Sequence, residues 1–209
     1  MILKLNPSKI SEQKINVIVD ALKNGGLIVF PTDTVYAFGG DPFQPKAIER
    51  LIRLSGKKRP DFSFICDDMK QAQEFTAGLD TPVFKEMKRL LPGPFTIIVN
   101  ASHQVARLFQ TNKKTVGIRI PQNDIARVIA KSLGHPIIST SLHDEDVILD
   151  YITDPVEIEN RFHGRVAIVV DGGMGGNLPS TVIDYTQATP FLVRAGAGVW
   201  DGLDLPVRK

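Results

Sequence analysis

Cysteine is nearly missing from this chain: Cys66 is the only one in 209 residues. An intrachain disulfide and a cysteine-built zinc cage are therefore excluded. In the run Phe62-Ser63-Phe64-Ile65-Cys66 the thiol reads as a small buried residue and not as a nucleophile. Long apolar runs are missing too. The strand-like cores Leu27-Ile28-Val29-Phe30 and residues 166–170 fall far short of the roughly 18 residues of a membrane-spanning helix. The start, Met1-Ile2-Leu3-Lys4-Leu5, has neither the basic opening nor the apolar core of a secretory signal, which points to the cytoplasm. Charge of one sign is scarce: 25 Lys+Arg against 23 Asp+Glu leave a formal +2, so any phosphate chemistry must come from locally placed cations. With one Trp and three Tyr there is no aromatic stripe to stack on bases. His103, His135, His143 and His163 are scattered, which argues against a dedicated transition-metal site. No Gly-x-Ser-x-Gly elbow is present, and the adjacency of Ser141, His143 and Asp144 carries no triad geometry.

What is present is an ordinary globular composition, 43% hydrophobic and 23% charged. The length suffices for a substantial core, and without repeats, linkers or low-complexity stretches the expected organisation is a single domain over 1–209. Ile15, Ile18, Val19 and Leu22 at helical spacing, between Ser11 and Gly25-Gly26, predict a helix over 11–24. Leu27 to Phe30, apolar and closed by Pro31, predicts a strand buried on both faces. Pro45 opens a second helix through Ile48, Leu51 and Ile52, and residues 62–66 form the next strand. A helix from Thr81-Pro82 through Leu91, strands over 95–99 and 116–120, and a helix with Ile125, Val128 and Ile129 closed by Gly134 continue the alternation. Further strands are expected at Ile137-Ile138, 166–170, 181–183 and 191–193, the last three with little helix between them, which favours a mixed α/β sheet.

Polar residues gather where strands end, the usual place for ligands in open α/β sheets. Pro31-Thr32-Asp33-Thr34-Val35-Tyr36 can hold a small polar ligand through its hydroxyls or cap itself as a turn. Lys57-Lys58-Arg59-Pro60 reads as a solvated charge run or as a polyphosphate site, since Lys57 and Arg59 share one side of an extended segment. Ser139-Thr140-Ser141 follows a buried strand. Arg119, set among apolar residues in Val116-Gly117-Ile118-Arg119-Ile120, needs a structural carboxylate or an anionic ligand, and sequence alone favours the carboxylate. Arg194, between Val193 and Ala195-Gly196, poses the same question. The stretch from Gly172 to Thr181 reads as a flexible glycine loop ending in hydroxyls, but it is not a Walker loop: it lacks the Gly-Lys-Ser/Thr ending and precedes a strand.

Several of these blocks occur together, in order, in one family. Phe30 to Tyr36, Lys57-x-Arg59-Pro60, Leu91-Pro92-Gly93-Pro94-Phe95-Thr96, Gly117 to Pro121, Ser139-Thr140-Ser141, and Pro179 to Asp184 with Val193-Arg194 resemble the YrdC/YciO family over 10–199. The resemblance implies a twisted, mostly open mixed sheet with flanking helices and a basic concave cavity, without the extra C-terminal domain of longer members. It implies synthesis of L-threonylcarbamoyladenylate from threonine, bicarbonate and ATP with Mg²⁺, releasing pyrophosphate toward threonylcarbamoyladenosine in tRNA. Downstream tRNA-modifying proteins would take the product. Carried over, Thr34, Arg119, Ser141 and Ser180 surround the threonine-derived part, while Lys57, Arg59, Ser139, Arg194 and His143 face the nucleotide. Lys57 and Arg59 would position the phosphates, and no side-chain base or side-chain metal ligand is implied. Other readings of the same fold are a double-stranded RNA or tRNA binder without chemistry, and an enzyme making another carbamoyl or acyl adenylate. Ser141-Leu142-His143 stands where synthases read Ser-x-Asn, Ala37-Phe38-Gly39-Gly40 where they read Gly-Leu-Gly, and the approach to Lys57 is longer; all three resemble the YciO branch. The acids Asp144, Glu145 and Asp146 behind His143 would oppose a triphosphate, favouring a loop role for that histidine.

Overall fold

The computed structural model describes residues 1–56, 62–109, 114–142 and 151–199. In chain order these form β1 (Ile2–Lys4), α1 (Glu12–Lys23), β2 (Ile28–Phe30), β3 (Ala37–Gly40), α2 (Pro45–Leu54), β4 (Ser63–Ile65), α3 (Met69–Gln73), α4 (Thr81–Leu90), β5 (Phe95–Asn100), α5 (His103–Phe109), β6 (Thr115–Arg119), α6 (Asp124–Leu133), β7 (Ile137–Ser141), α7 (Pro155–Phe162), β8 (Ile168–Asp171), β9 (Thr181–Asp184) and β10 (Phe191–Arg194). Local signals account for most helix ends. Ile15, Ile18, Val19 and Leu22 form the buried stripe of α1, and Gly25, at φ 76°, turns the chain out of it. Asn123 caps α6 by accepting the Ala126 amide at 3.1 Å, and Gly134 ends it at φ 86°. Proline stands in the first turn of α2, α4 and α7, where its missing N–H costs nothing.

The strands form one sheet in the order β1-β8-β2-β3-β7-β4-β6-β5-β9-β10. It is mixed, as expected: β8 runs parallel to β1 and β2, β4 to β6, and β5 to β9, whereas β3 and β7 are antiparallel to their neighbours. The elements without a clear sequence signal are β1, β3, α3, α5 and α7.

Because side chains alternate across a strand, register decides what each face carries. On one face Val29, Phe38, Ile138, Phe64, Ile118 and Ile97 pack with residues of α2, α4 and α7 in one core. On the other, Ile28, Phe30, Ile137, Ile65 and Ile168 pack with α1 and α6 in a second. That second cover spans only part of its face. Farther along the same face the residues become small or hydroxylic, with Ser139, Ser63 and Gly117 side by side on three neighbouring strands. A cavity opens over this part of the sheet.

Candidate active site

The cavity measures about 420 Å³. Its floor is the row Ser139, Ser63 and Gly117, and one wall comes from Thr96 and Ile98 of β5 with Ser180 and Val182 at β9. Two hydroxyl pairs tie strands together there: Ser63 with Ser139 at 3.2 Å and Thr96 with Ser180 at 2.8 Å. Small side chains create the depth. A Cβ at Gly117 would meet Thr96 Cγ2 at 3.2 Å and Ser63 Cβ at 3.4 Å, and would fill the floor.

Arg119, at the end of β6, is 4% exposed and lines the cavity. Its three hydrogen bonds all leave from Nη2, to Thr32 Oγ1 at 2.9 Å, Thr34 Oγ1 at 2.6 Å and Asp33 Oδ1 at 2.6 Å. Nε is buried without a partner among the described residues. Burial draws the guanidinium pKa down, Asp33 opposes this, and the like charge of Arg194 reinforces it. The group nevertheless stays a cation. The acceptors reach it from residues 31–36, although β3, β7 and β4 lie between β2 and β6, so this connection folds across the face of the sheet.

Arg194, at the end of β10, marks the rim. Its Nε and Nη2 donate to the carbonyl oxygen of Ser180 at 3.2 and 2.8 Å, and Nη2 also reaches Ser180 Oγ at 3.3 Å. Partial desolvation lowers its pKa, with Tyr151 acting in the opposite direction. Two guanidiniums thus share one cavity; Asp33, which does not line it, pairs with Arg119, and among the described lining residues there is no carboxylate. That donor set suits an anion.

Of the residues singled out in the sequence, Arg119, Ser139, Ser141, Ser180 and Arg194 come together around this cavity. Thr34, 3% exposed, touches Arg119 from behind and does not line it. Lys57, Arg59 and His143 lie outside the described residues. Cys66 is fully buried, and burial pushes its thiol pKa up, as suits a packed residue. The glycine loop is tied to the residues around it by hydrogen bonds. Tyr36 donates its hydroxyl to the Gly173 carbonyl at 2.7 Å, and the amides of Gly175 and Gly176 donate to the carbonyls of Thr153 at 2.8 Å and Thr34 at 2.7 Å. Its glycines permit close approach, since a Cβ at Gly172 would meet Pro31 Cγ at 2.7 Å. Ser63, Thr96 and the partner of Arg119, Asp33, were not identified from sequence. The demand of a buried arginine for a carboxylate was the one signal pointing to the last.

The architecture defines a class first: an α/β fold whose incompletely covered sheet face holds a cavity lined by two arginines. Residues 20–196 match the Sua5/YciO/YrdC family model, described as telomere recombination, and the chain belongs to that family. It is 36% identical over 198 residues to the uncharacterized protein YciO of Escherichia coli (strain K12), covering 93% of this chain and 94% of that one. The crystal structure of E. coli YciO superposes with a TM-score of 0.87 at 35% identity, over 95% of this chain and 97% of the other. A threonylcarbamoyl-AMP synthase of Thiobacillus denitrificans is 33% identical over 83% of this chain and 91% of its own length. The crystal structure of Pyrococcus abyssi Sua5 complexed with L-threonine has a TM-score of 0.80 at 27% identity, over 94% of this chain but 57% of that longer protein.

Proposed function

We propose that this protein is a nucleotide-using enzyme that makes L-threonylcarbamoyl-AMP from L-threonine, bicarbonate and ATP. The observation that carries the reading is the pairing, in one cavity, of the buried Arg119 with a second arginine at the rim. Guanidiniums that line a cavity are matched by an anionic oxygen. The α-carboxylate of threonine is such a group, and L-threonine is the ligand named for the P. abyssi structure.

In this reading Arg119 binds the carboxylate, the hydroxyls of Ser141 and Ser180 hold the polar atoms around it, and Ser139 faces the nucleotide. The threonine amine and bicarbonate condense to a carbamate with release of water. A carbamate oxygen then attacks the α-phosphorus, its bond to the α,β-bridging oxygen breaks, and pyrophosphate leaves. Arg194 faces the phosphates from the rim, with Lys57 and Arg59 as its proposed companions. ATP arrives as its magnesium complex, the ion carried by phosphate oxygens. Catalysis then rests on positioning and on charge supplied to the transferring group.

Pyrophosphate release from ATP and Mg²⁺, with threonine and bicarbonate each present or omitted, tests this. Release that requires both cosubstrates is the expected result. Release indifferent to threonine, or none from a protein that binds ATP, would redirect the reading to another carbamoyl or acyl adenylate or to RNA.

A further inference from the structure

The hydrogen bonds of Arg119 are unevenly spread: Nη2 meets three acceptors and Nε none. An arginine serving only to knit the fold would be expected to have its buried donors satisfied. Here Nη2 is anchored, Nε is enclosed without an acceptor, and the guanidinium lines the cavity. The anchor centres on Asp33, whose side chain is 8% exposed. Its Oδ1 accepts from Nη2 at 2.6 Å, and its Oδ2 accepts the Gln122 amide at 3.0 Å. One carboxylate thereby ties the connection between β2 and β3 to both the end of β6 and the turn behind it. Thr32 completes the arrangement by donating its hydroxyl to the Val35 carbonyl at 2.7 Å, which leaves its lone pairs for Nη2 and the Thr34 amide.

We infer that Asp33 is a positioning residue: it locks the Arg119 guanidinium by Nη2 so that Nη1 remains for the carboxylate of the amino-acid substrate. This rests on the proposed threonine site. The pair also sets the charge of the pocket. Asp33 cancels the arginine at close range, so an isolated inorganic anion gains little there, while a ligand that adds fixed hydrogen bonds gains more. Buried ion pairs are poor stabilisers compared with apolar replacements of the same volume, so stability is not what such a pair chiefly supplies.

Asparagine at position 33 can accept from Nη2 through its oxygen, but its amide then opposes the Gln122 N–H. Asp33→Asn should raise the KM for L-threonine about tenfold, as expected for loss of a charge-assisted contact, and leave the KM for ATP unchanged. A KM for threonine within twofold of wild type, or equal losses for threonine and ATP, would overturn the assignment, because general loosening of the fold affects both substrates. A ligand-free measurement separates this claim from the functional reading and needs no folded variant. In the NMR spectrum of the wild-type protein, the guanidinium protons of Arg119, assigned by scalar connectivity through its own side chain to the backbone, should be resolved and slow to exchange. Averaged, rapidly exchanging protons would refute the lock whether or not threonine binds; absence of threonine binding with locked protons would refute only the threonine reading.

Discussion

Gly176 donates its amide to the carbonyl oxygen of Thr34 at 2.7 Å, and a Cβ on that glycine would collide with the same carbonyl. The glycine strap therefore presses directly on the residue whose hydroxyl supports Arg119. Gly176→Ala should force the two segments apart, at a cost of about 1–3 kcal/mol for overpacking. Because Thr34 moves with the strap, threonine affinity should fall more than ATP affinity. Denaturant midpoints and calorimetric titration of both ligands check this, and an unchanged midpoint would show that the strap yields elsewhere.

At the cavity floor the effect should be confined to binding. A Cβ at Gly117 lies at 3.2 Å from Thr96 Cγ2 and 3.4 Å from Ser63 Cβ, tight but short of a clash. Gly117→Ala should leave thermal unfolding within about 1 kcal/mol of wild type while reducing the volume available to the substrate. A selective rise in the KM for threonine is the expected kinetic result. Unaltered kinetics would place the reacting groups away from β6.

The Thr96–Ser180 pair makes a different prediction, since Ser180 also accepts from Arg194 at 3.3 Å. Ser180→Ala deletes one hydroxyl and leaves that of Thr96 without this partner, costing about 1 kcal/mol of stability. Arg194 keeps its bonds to the Ser180 carbonyl and should stay in place. Ser180→Ala combined with Thr96→Val should therefore be no less stable than Ser180→Ala alone, because removing both partners strands neither. Urea unfolding of the single and double variants decides the point.

How far such features could be read from sequence depends on where the determining contact lies. The stripe of α1 and the apolar run of β2 are local patterns and were legible. β3 was not: Gly39-Gly40 looks like a turn, yet a Cβ at Gly39 would meet Phe30 Cε1 at 2.7 Å and Ile137 Cγ2 at 2.8 Å, so glycine is required there by neighbouring side chains. The close approaches of Gly172, Gly175 and Gly176 to Pro31, Tyr36 and Thr34 are equally non-local. The need of Arg119 for a carboxylate was legible, but Asp33 stands 86 residues away in the chain and three strands intervene between β2 and β6. Ser63 and Thr96 are isolated hydroxyls in apolar strands, and only strand register shows that they share a cavity with Ser139 and Ser180.

Alkaline conditions should weaken the fold in a way traceable to Tyr36. Burial raises its phenol from 10.0 to about 12, and its hydroxyl holds the strap through the Gly173 carbonyl and the Gly172 amide. For an acid whose folded-state pKa is raised, the unfolded chain releases its proton first, so stability declines as pH climbs above about 10 and levels off near the folded value. Two units correspond to about 2–3 kcal/mol as an upper bound. The buried thiol of Cys66, also pushed up, adds a decline of the same sign at high pH. Tyr36→Phe should be less stable than wild type near neutrality, by about 1 kcal/mol for the lost hydrogen bonds. Its stability should nevertheless fall less steeply above about pH 10, so that the two curves converge. Urea midpoints of both proteins from about pH 8 to about pH 11 give the comparison, and parallel curves would show that the phenol titrates alike in folded and unfolded chains.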